Sequence, residues 1–183
     1  MGVKGIRKNT STSKKYSEPD LLIGVDDIIK KAKEEGLYSG DILKIEELIS
    51  KLDNIKIEYK DMDPSLSGSL SYQDGQWVMC INENHNIKRQ RFTIAHELGH
   101  FMLHKNKNVE FKDSTFFRGN EMDSIEYNAN EFAARLLMPE EIVRKLISNG
   151  LKNIGELASK FGVSSAAMKH RVLSLGYKMK ENG

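Results

Sequence analysis

The chain has 183 residues, of which 39% are hydrophobic and 30% are charged, so it is long enough for one sizeable soluble core and a small appendage. The longest early apolar run is residues 21–23, so neither a signal peptide nor a membrane span is expected. A single cysteine, Cys80, excludes an intramolecular disulfide and fits a reducing compartment. These features predict a cytoplasmic protein.

The formal net charge of +2 is distributed unevenly along the chain. The basic residues at the start, with no acidic residue among them, are Lys4, Arg7, Lys8, Lys14 and Lys15. This segment is rich in Ser, Thr and Lys and has no periodicity, so residues 1–20 are predicted to be a disordered basic tail. The tail could contact nucleic acid, but simple solvation is the favoured interpretation.

The first half of the chain combines helical and strand periodicity. The expected helices are 24–35 and about 41–52, and the expected strands are 55–59, 68–72 and 76–82. Asp74-Gly75 is a strong hairpin signal between the last two strands. We therefore expect a small antiparallel sheet that leads into a helix from about residue 88 to 104.

That helix contains a His-Glu-x-x-His motif formed by His96, Glu97 and His100. Residues four apart lie on one helical face, so both imidazoles can bind one ion. Neutral imidazole suits Zn²⁺, whose catalytic sites keep three protein ligands and a water, and Glu97 could take a proton from that water. Gly99 costs about 1 kcal/mol relative to Ala in a helix interior, which predicts close approach of a backbone or a substrate.

Two neighbouring features have both a functional and a structural interpretation. The sheet could bind an extended substrate by strand addition beside the metal, or it could only cover the helix. Residues 105–121 are predicted to be a polar loop containing Phe111, Phe116 and Phe117. This loop could be a lid of the cleft, or its aromatic side chains could simply pin it to the core.

The next strong helix, residues 123–138, offers carboxylates for the third ligand position. Glu126 and Asn130 share a face, so Glu126 is the predicted ligand and Asn130 is predicted to orient a ligating histidine through its other ring nitrogen. Glu131 falls roughly opposite and is predicted to face solvent. The alternative is a capping box with Asp123 at the N-cap and Glu126 at the third helical position.

The two motifs together closely resemble those of the ImmA/IrrE family of zinc metallo-endopeptidases. The first is His-Glu-x-x-His at residues 96–100, and the second is Glu-x-x-Ala-Asn-x-Phe-Ala at residues 126–133. The resemblance covers roughly residues 25–176 and leaves the basic tail outside. It implies an α+β fold in which a small antiparallel sheet packs on helices that carry a gluzincin-like zinc site.

The resemblance also implies the roles of individual residues and a biological activity. It places His96, His100 and Glu126 on the zinc ligands, Glu97 on the catalytic glutamate and Asn130 on the Asn/Asp position. It implies a protease that cleaves a DNA-binding, helix-turn-helix repressor of a mobile element or a stress response. The alternative is a zinc-containing DNA- or protein-binding regulator, or a toxin-like partner of a helix-turn-helix protein, without general protease activity.

Peptide hydrolysis also needs a donor for the oxyanion that forms on the substrate carbonyl. The residues considered for this role are Tyr127, His104, His85 and Arg135, of which Tyr127 and His104 are favoured. His104 lies two turns beyond His96 on the same face of the predicted helix.

The C-terminal part is predicted to be helical. Pro139 ends the ligand helix, a short helix follows at residues 140–148, and residues 153–173 have the rhythm of a helix-turn-helix. DNA binding is possible, with Ser165, Lys169 and His170 facing a groove, and substitution of Lys169 and Arg171 would then abolish it. Packing on the protease body or protein docking is favoured. The predicted domains are thus a metallopeptidase domain, 21–150, and a C-terminal helical segment, 151–183.

Overall fold

A computed structural model describes residues 24–104 and 120–179, with side chains for 24–103 and 124–179. Within these ranges the fold is mixed α+β, with seven helices and two small sheets. The elements are α1 Val25–Glu34, β1 Tyr38–Ser39, β2 Ile42–Leu43, α2 Ile45–Ser50, β3 Ile55–Lys60, β4 Gly68–Gln73, β5 Gln76–Asn82, α3 Ile87–His104, α4 Asn120–Leu137, α5 Glu140–Ser148, α6 Ile154–Phe161 and α7 Ser165–Ser174. The predicted basic tail and most of the predicted aromatic loop lie outside the described residues.

The predicted helix 41–52 is wrong over its first turn. Residues 38–39 and 42–43 instead form a two-stranded antiparallel ribbon, and α2 begins only at Ile45. Gly40 turns the chain with φ +62°, a left-handed conformation that glycine adopts readily. The apolar spacing from Ile42 onward fits a helix, but the turn at Gly40 brings Ile42 opposite Ser39.

The main sheet is mixed, so the prediction of an antiparallel sheet is wrong for one of its strand pairs. The strand order is β3-β5-β4, with β5 parallel to β3 and antiparallel to β4. The predicted hairpin is present, and Asp74 and Gly75 both have positive φ. Strand β5 is buried from Val78 to Asn82, and this apolar run favours the central position, where both strand edges are paired.

Helix α3 packs so closely against the sheet that residue 68 has no room for a side chain. A Cβ atom added to Gly68, the first residue of β4, would lie 2.6 Å from the Thr93 side chain and 2.8 Å from the Cys80 carbonyl oxygen. Both distances are shorter than normal van der Waals contact. Glycine at this position therefore lets the sheet approach α3 closely.

Substituting Gly68 by Ala is expected to lower the free energy of unfolding by about 1–3 kcal/mol, because the added methyl group overpacks this contact. Urea denaturation of both proteins measures the difference. Adding Thr93→Ser removes the nearer methyl group but not the Cys80 carbonyl, so the double variant should recover only part of the loss. A Gly68→Ala protein as stable as the wild type would contradict the inferred contact.

Helices α3 and α4 pack face to face, and Gly99 allows their backbones to approach. A Cβ atom at Gly99 would lie 3.1 Å from the Cα and 3.2 Å from the carbonyl oxygen of Ala129. Ala129 and Leu98 are fully buried in this contact region. The prediction that a backbone comes close to Gly99 is confirmed.

The C-terminal helices are capped and packed on the rest of the structure. Asn153 and Ser164 accept hydrogen bonds at the starts of α6 and α7, and Gly162 adopts φ +64° between them. Arg91 of α3 donates to the carbonyl oxygens of Gly162 and Leu43, which connects this turn to α3 and β2. Among the described residues, no helix is both long and apolar enough to cross a membrane.

Candidate metal centre

Three predicted ligand side chains converge between α3 and α4. The Nε2 atoms of His96 and His100 are 3.0 Å apart. Each lies 3.3 Å from a different carboxylate oxygen of Glu126. Residues His96 and His100 are one turn apart on α3, whereas Glu126 reaches them from α4 across the close contact at Gly99.

The donor set and its spacing fit a tetrahedral divalent ion. Two imidazole nitrogens and a carboxylate match the ligands of catalytic zinc sites. Zinc bonds of about 2.0–2.1 Å place the ligand atoms of a tetrahedron roughly 3.3–3.4 Å apart. The observed separations of 3.0–3.3 Å are close to this value. Among the residues that the structure describes, His96, His100 and Glu126 form a group whose ligand atoms lie close enough together to hold one metal ion.

Asn130 contacts the His96 ring at the nitrogen that faces away from the cluster. His96 Nδ1 lies 3.1 Å from the side-chain oxygen of Asn130. Because an amide oxygen only accepts hydrogen bonds, Nδ1 carries a hydrogen, and Nε2 is the nitrogen that could bind a metal after losing its proton. Asn130 lies one helical turn beyond Glu126, so one face of α4 supplies both a ligand candidate and the group that contacts His96 of α3.

The electrostatics of the cluster keep the carboxylate ionised. Hydrogen bonds from His100 and His96 hold the pKa of Glu126 well below its usual range. Burial, the largest single influence, lowers the pKa of His96, but the hydrogen bond to Glu126 and the charges of Glu97 and Glu126 together raise it above its usual value. The negative charge provided by Glu126 suits the binding of a cation between the rings.

The capping-box alternative for Glu126 is wrong. Helix α4 begins at Asn120, so Asp123 lies inside the helix and not at its N-cap. Glu126 lies in the second turn of α4, so it does not occupy the third helical position that a capping box requires. Glu131, the competing carboxylate, is partly buried and lies outside the cluster.

Glu97 is one of the residues that line a cleft beside the cluster. Its side chain is 7% exposed, and its charge acts on His96. The cleft has a volume of about 310 Å³, and its other walls are formed by Phe92, Thr93, His96, Asn130 and residues 65–68. Glu97 and His96 therefore line the same cleft.

The loop at residues 61–67, which contributes Ser65, Leu66 and Ser67 to the cleft wall, is bonded to Asn82, a residue with no predicted role. Asn82 is fully buried, and its side-chain amide donates to the carbonyl oxygens of Met62, Asp63 and Leu66 at 3.3, 3.0 and 2.8 Å. The asparagine at the end of an apolar strand was the available signal, but its three acceptors become neighbours only in the folded loop.

Replacing Asn82 with Ala is expected to destabilise the protein by about 1–3 kcal/mol, because three partly buried hydrogen bonds are lost. Amide hydrogen exchange in residues 61–67 should accelerate as well. Asn84→Ala is the control, since it removes one exposed hydrogen bond from the same loop, to Asp61. Equal exchange rates in the two variants would contradict the role of Asn82.

The four oxyanion-donor candidates have different positions. Tyr127 follows Glu126 on α4 and is 64% exposed. His104 is the last residue of α3, and its side chain is not among those that the structure describes. His85 is instead bonded to the carbonyl oxygen of Pro64, and Arg135 forms an ion pair with Asp26. The structure does not bring His85 or Arg135 to the metal cluster.

A mixed α+β fold that carries a His-His-Glu cluster with an adjacent glutamate defines a site of the metallopeptidase class. The chain belongs to the family with an IrrE N-terminal-like domain, Peptidase_M78, whose family model matches residues 52–173. It is homologous to the ImmA and IrrE metallopeptidases. The resemblance seen in the two sequence motifs is thereby confirmed.

Three relatives show the extent of the similarity. Uncharacterized immunity region protein 2 of Bacillus phage phi105 is 33% identical over 124 residues, which are 67% of this chain and 71% of the relative. Metallopeptidase ImmA of Bacillus subtilis is 31% identical over 103 residues, covering 55% of this chain and 58% of ImmA. Radiation response metalloprotease IrrE of Deinococcus radiodurans is 30% identical over 107 residues, covering 54% of this chain and 33% of IrrE.

A solved structure shares the fold. A Mycobacterium tuberculosis transcriptional regulator superposes with a TM-score of 0.55 at 18% sequence identity, covering 82% of this chain and 47% of that one. The similarity therefore concerns the fold, and the match spans less than half of the regulator.

Proposed function

We propose that this protein is a zinc-dependent endopeptidase whose substrate is a helix-turn-helix transcriptional repressor. The observation that carries the proposal is the convergence of His96, His100 and Glu126 beside the buried Glu97. Family membership supports the peptidase activity, since related chains bear the names metallopeptidase and metalloprotease. The repressor as substrate rests on the resemblance to the ImmA/IrrE family.

The proposed mechanism assigns one role to each residue. His96, His100 and Glu126 would hold the zinc, and Asn130 keeps the His96 ring in the required tautomer. When bound, zinc supplies Lewis acidity, which acidifies water and polarises a peptide carbonyl. Glu97 acts as the general base that accepts a proton from the attacking water, and then as the general acid that returns it to the leaving amine.

The position of Glu97 suits this proton transfer. The side chain faces a cleft lined by polar and apolar groups, and its burial limits competing contact with bulk water. Its charge is close enough to raise the pKa of His96. Of the oxyanion-donor candidates, Tyr127 and His104 remain proposals, and Tyr127 would need to turn from solvent toward the substrate.

Strand β4 provides a means of holding an extended substrate. Within the described residues it pairs only with β5, so its other edge is unpaired. Its first residue, Gly68, lines the cleft that contains His96 and Glu97. A substrate segment added along this edge would form main-chain hydrogen bonds and would direct its peptide bond toward the metal cluster.

The test of the proposed function is direct cleavage of a repressor. The zinc-loaded protein is incubated with a purified helix-turn-helix repressor encoded beside it, and the products are identified by intact-mass spectrometry. A single cleavage that disappears in Glu97→Gln is expected. A repressor that stays intact, while an unrelated unfolded polypeptide is cut, would contradict the substrate but retain the peptidase.

The competing proposal is a regulator that binds DNA through α7. Lys169 and His170 are exposed on this helix, as such a role would require. Arg171, which the sequence offered as a second DNA contact, is 6% exposed and donates to the carbonyl oxygen of Met138. The buried arginine weakens the basic surface, so the structure favours the peptidase.

We also propose that residues 151–179 form a packed appendage of the peptidase domain.

A further inference from the structure

A second cavity lies where α1, the end of α4, α5 and α7 meet. Its volume is about 610 Å³, within the usual size range of small-molecule sites of roughly 300–1,000 Å³. Three arginines line it, Arg135, Arg144 and Arg171, and we refer to it as the arginine pocket. Its walls contain five basic and three acidic residues, which leaves a net charge of +2.

Arg171 provides a buried positive charge in this pocket. The residue is 6% exposed, and its Nε atom donates to the carbonyl oxygen of Met138 at 3.0 Å. Among the described residues, its guanidinium forms no other hydrogen bond and no ion pair. A guanidinium has five N–H donors and stays protonated in proteins, so Arg171 retains unused donors. The charges of Glu131 and Glu140 act on it, but neither carboxylate forms an ion pair with it.

Each acidic residue of the pocket forms an ion pair with a basic residue of the same pocket. Asp26 lies 2.8 Å from Arg135, Glu140 lies 2.6 Å from Arg144, and Glu141 lies 3.5 Å from Lys33. A hydrogen bond from Arg144 lowers the pKa of Glu140, and the charges of Arg171 and Arg135 lower it further. The three guanidinium groups thus act on one region of the pocket.

We propose that the arginine pocket binds a small anion bearing phosphate or carboxylate groups. Arg171 is the buried anchor, and Arg135 and Arg144 are the flanking contacts. The planar fork of arginine matches both kinds of oxyanion through paired N–H···O bonds. Glu140 occupies part of the same positive region and therefore competes with the ligand.

This site is separate from the metal cluster. Arg135 follows Glu126 by nine residues on α4, which corresponds to about 14 Å along a helix. Neither histidine of the cluster lines the arginine pocket. Anion binding here can therefore be measured independently of peptidase activity, and its failure would leave the proposed function untouched.

The experiment is a titration of the zinc-loaded protein with inorganic phosphate and, separately, with succinate, followed by ¹H–¹⁵N NMR. Saturable shifts are expected in the Arg171 Nε signal and in the amides of residues 140–144. Arg135→Gln and Arg144→Gln should each weaken binding by about tenfold, because a charged hydrogen bond is lost. The probe that binds more tightly identifies the phosphate or the carboxylate class.

Two further variants make the test specific. Lys169→Gln removes the same charge from an exposed position of α7 outside the pocket and should leave the affinity unchanged. Glu140→Gln removes the competing carboxylate and should tighten binding severalfold, an effect that general loss of structure cannot produce. Shifts that do not saturate, that map elsewhere, or that respond equally to Lys169→Gln and Arg135→Gln would overturn the proposal.

Discussion

Replacing Glu97 with Gln is expected to reduce peptide hydrolysis by about two to four orders of magnitude, because an amide cannot accept and return the proton. The substitution preserves the size of the side chain at a buried position beside His96. The zinc content should remain unchanged, since Glu97 lies outside the three-residue cluster. Initial rates of substrate cleavage, together with metal analysis of the same preparation, measure both quantities.

Glu83→Gln is the matched control for this experiment. It makes the same chemical change at an exposed glutamate in the turn after β5, and it should leave both activity and metal content unaffected. A Glu97→Gln protein that cleaves at the normal rate would eliminate Glu97 as the base. Loss of zinc together with activity would instead assign Glu97 a role in holding the ion.

Replacing Glu126 with Ala is expected to remove most of the bound metal. The substitution deletes the only carboxylate among the three clustered ligand candidates, and with it the charge that stabilises a cation between two histidines. A catalytic zinc normally depends on three protein ligands. We expect one zinc per chain in the wild type and a large loss after dialysis of the variant, measured by inductively coupled plasma mass spectrometry.

Glu131→Ala provides the comparison for Glu126→Ala. It lies on the same helix, five residues later, but outside the cluster, so its zinc content should match that of the wild type. Absorption spectroscopy of the cobalt-substituted protein would report whether the coordination is tetrahedral. Zinc bound equally well without Glu126 would show that another group completes the site, and the regulator function would then be favoured.

The parts of the site that lie close together in sequence were predictable from it. His96, Glu97 and His100 lie within two turns of one helix, where spacing alone determines which side chains share a face. The same reasoning placed Glu126 and Asn130 on one face of α4, and the structure shows Asn130 bonded to His96. The helix 140–148 and the hairpin at Asp74-Gly75 were also predicted correctly, since both depend on local turn and capping signals.

Other parts depend on contacts that spacing does not encode. The apolar residues from Ile42 to Leu52 fit a helix, yet the turn at Gly40 diverts the first of them into a strand pair. The strand periods were read correctly, but periodicity contains no information about the direction in which two strands pair, and β3 lies parallel to β5. Asn82 looked like the polar end of a strand, although it supports one wall of the cleft through three hydrogen bonds.

Sequence alone therefore determined the two ligand-bearing helices and the chemistry that each one offers, because helical geometry is repeated at every turn. Only the tertiary structure decided that these helices meet at Gly99 and Ala129, which brings Glu126 within 3.3 Å of both imidazoles. It also decided that Arg171 is buried in the arginine pocket and unavailable to an external DNA strand. The physical reason is that burial of a side chain, and contact between residues far apart in sequence, depend on how all elements pack together. The helical face on which a residue lies depends only on the local backbone.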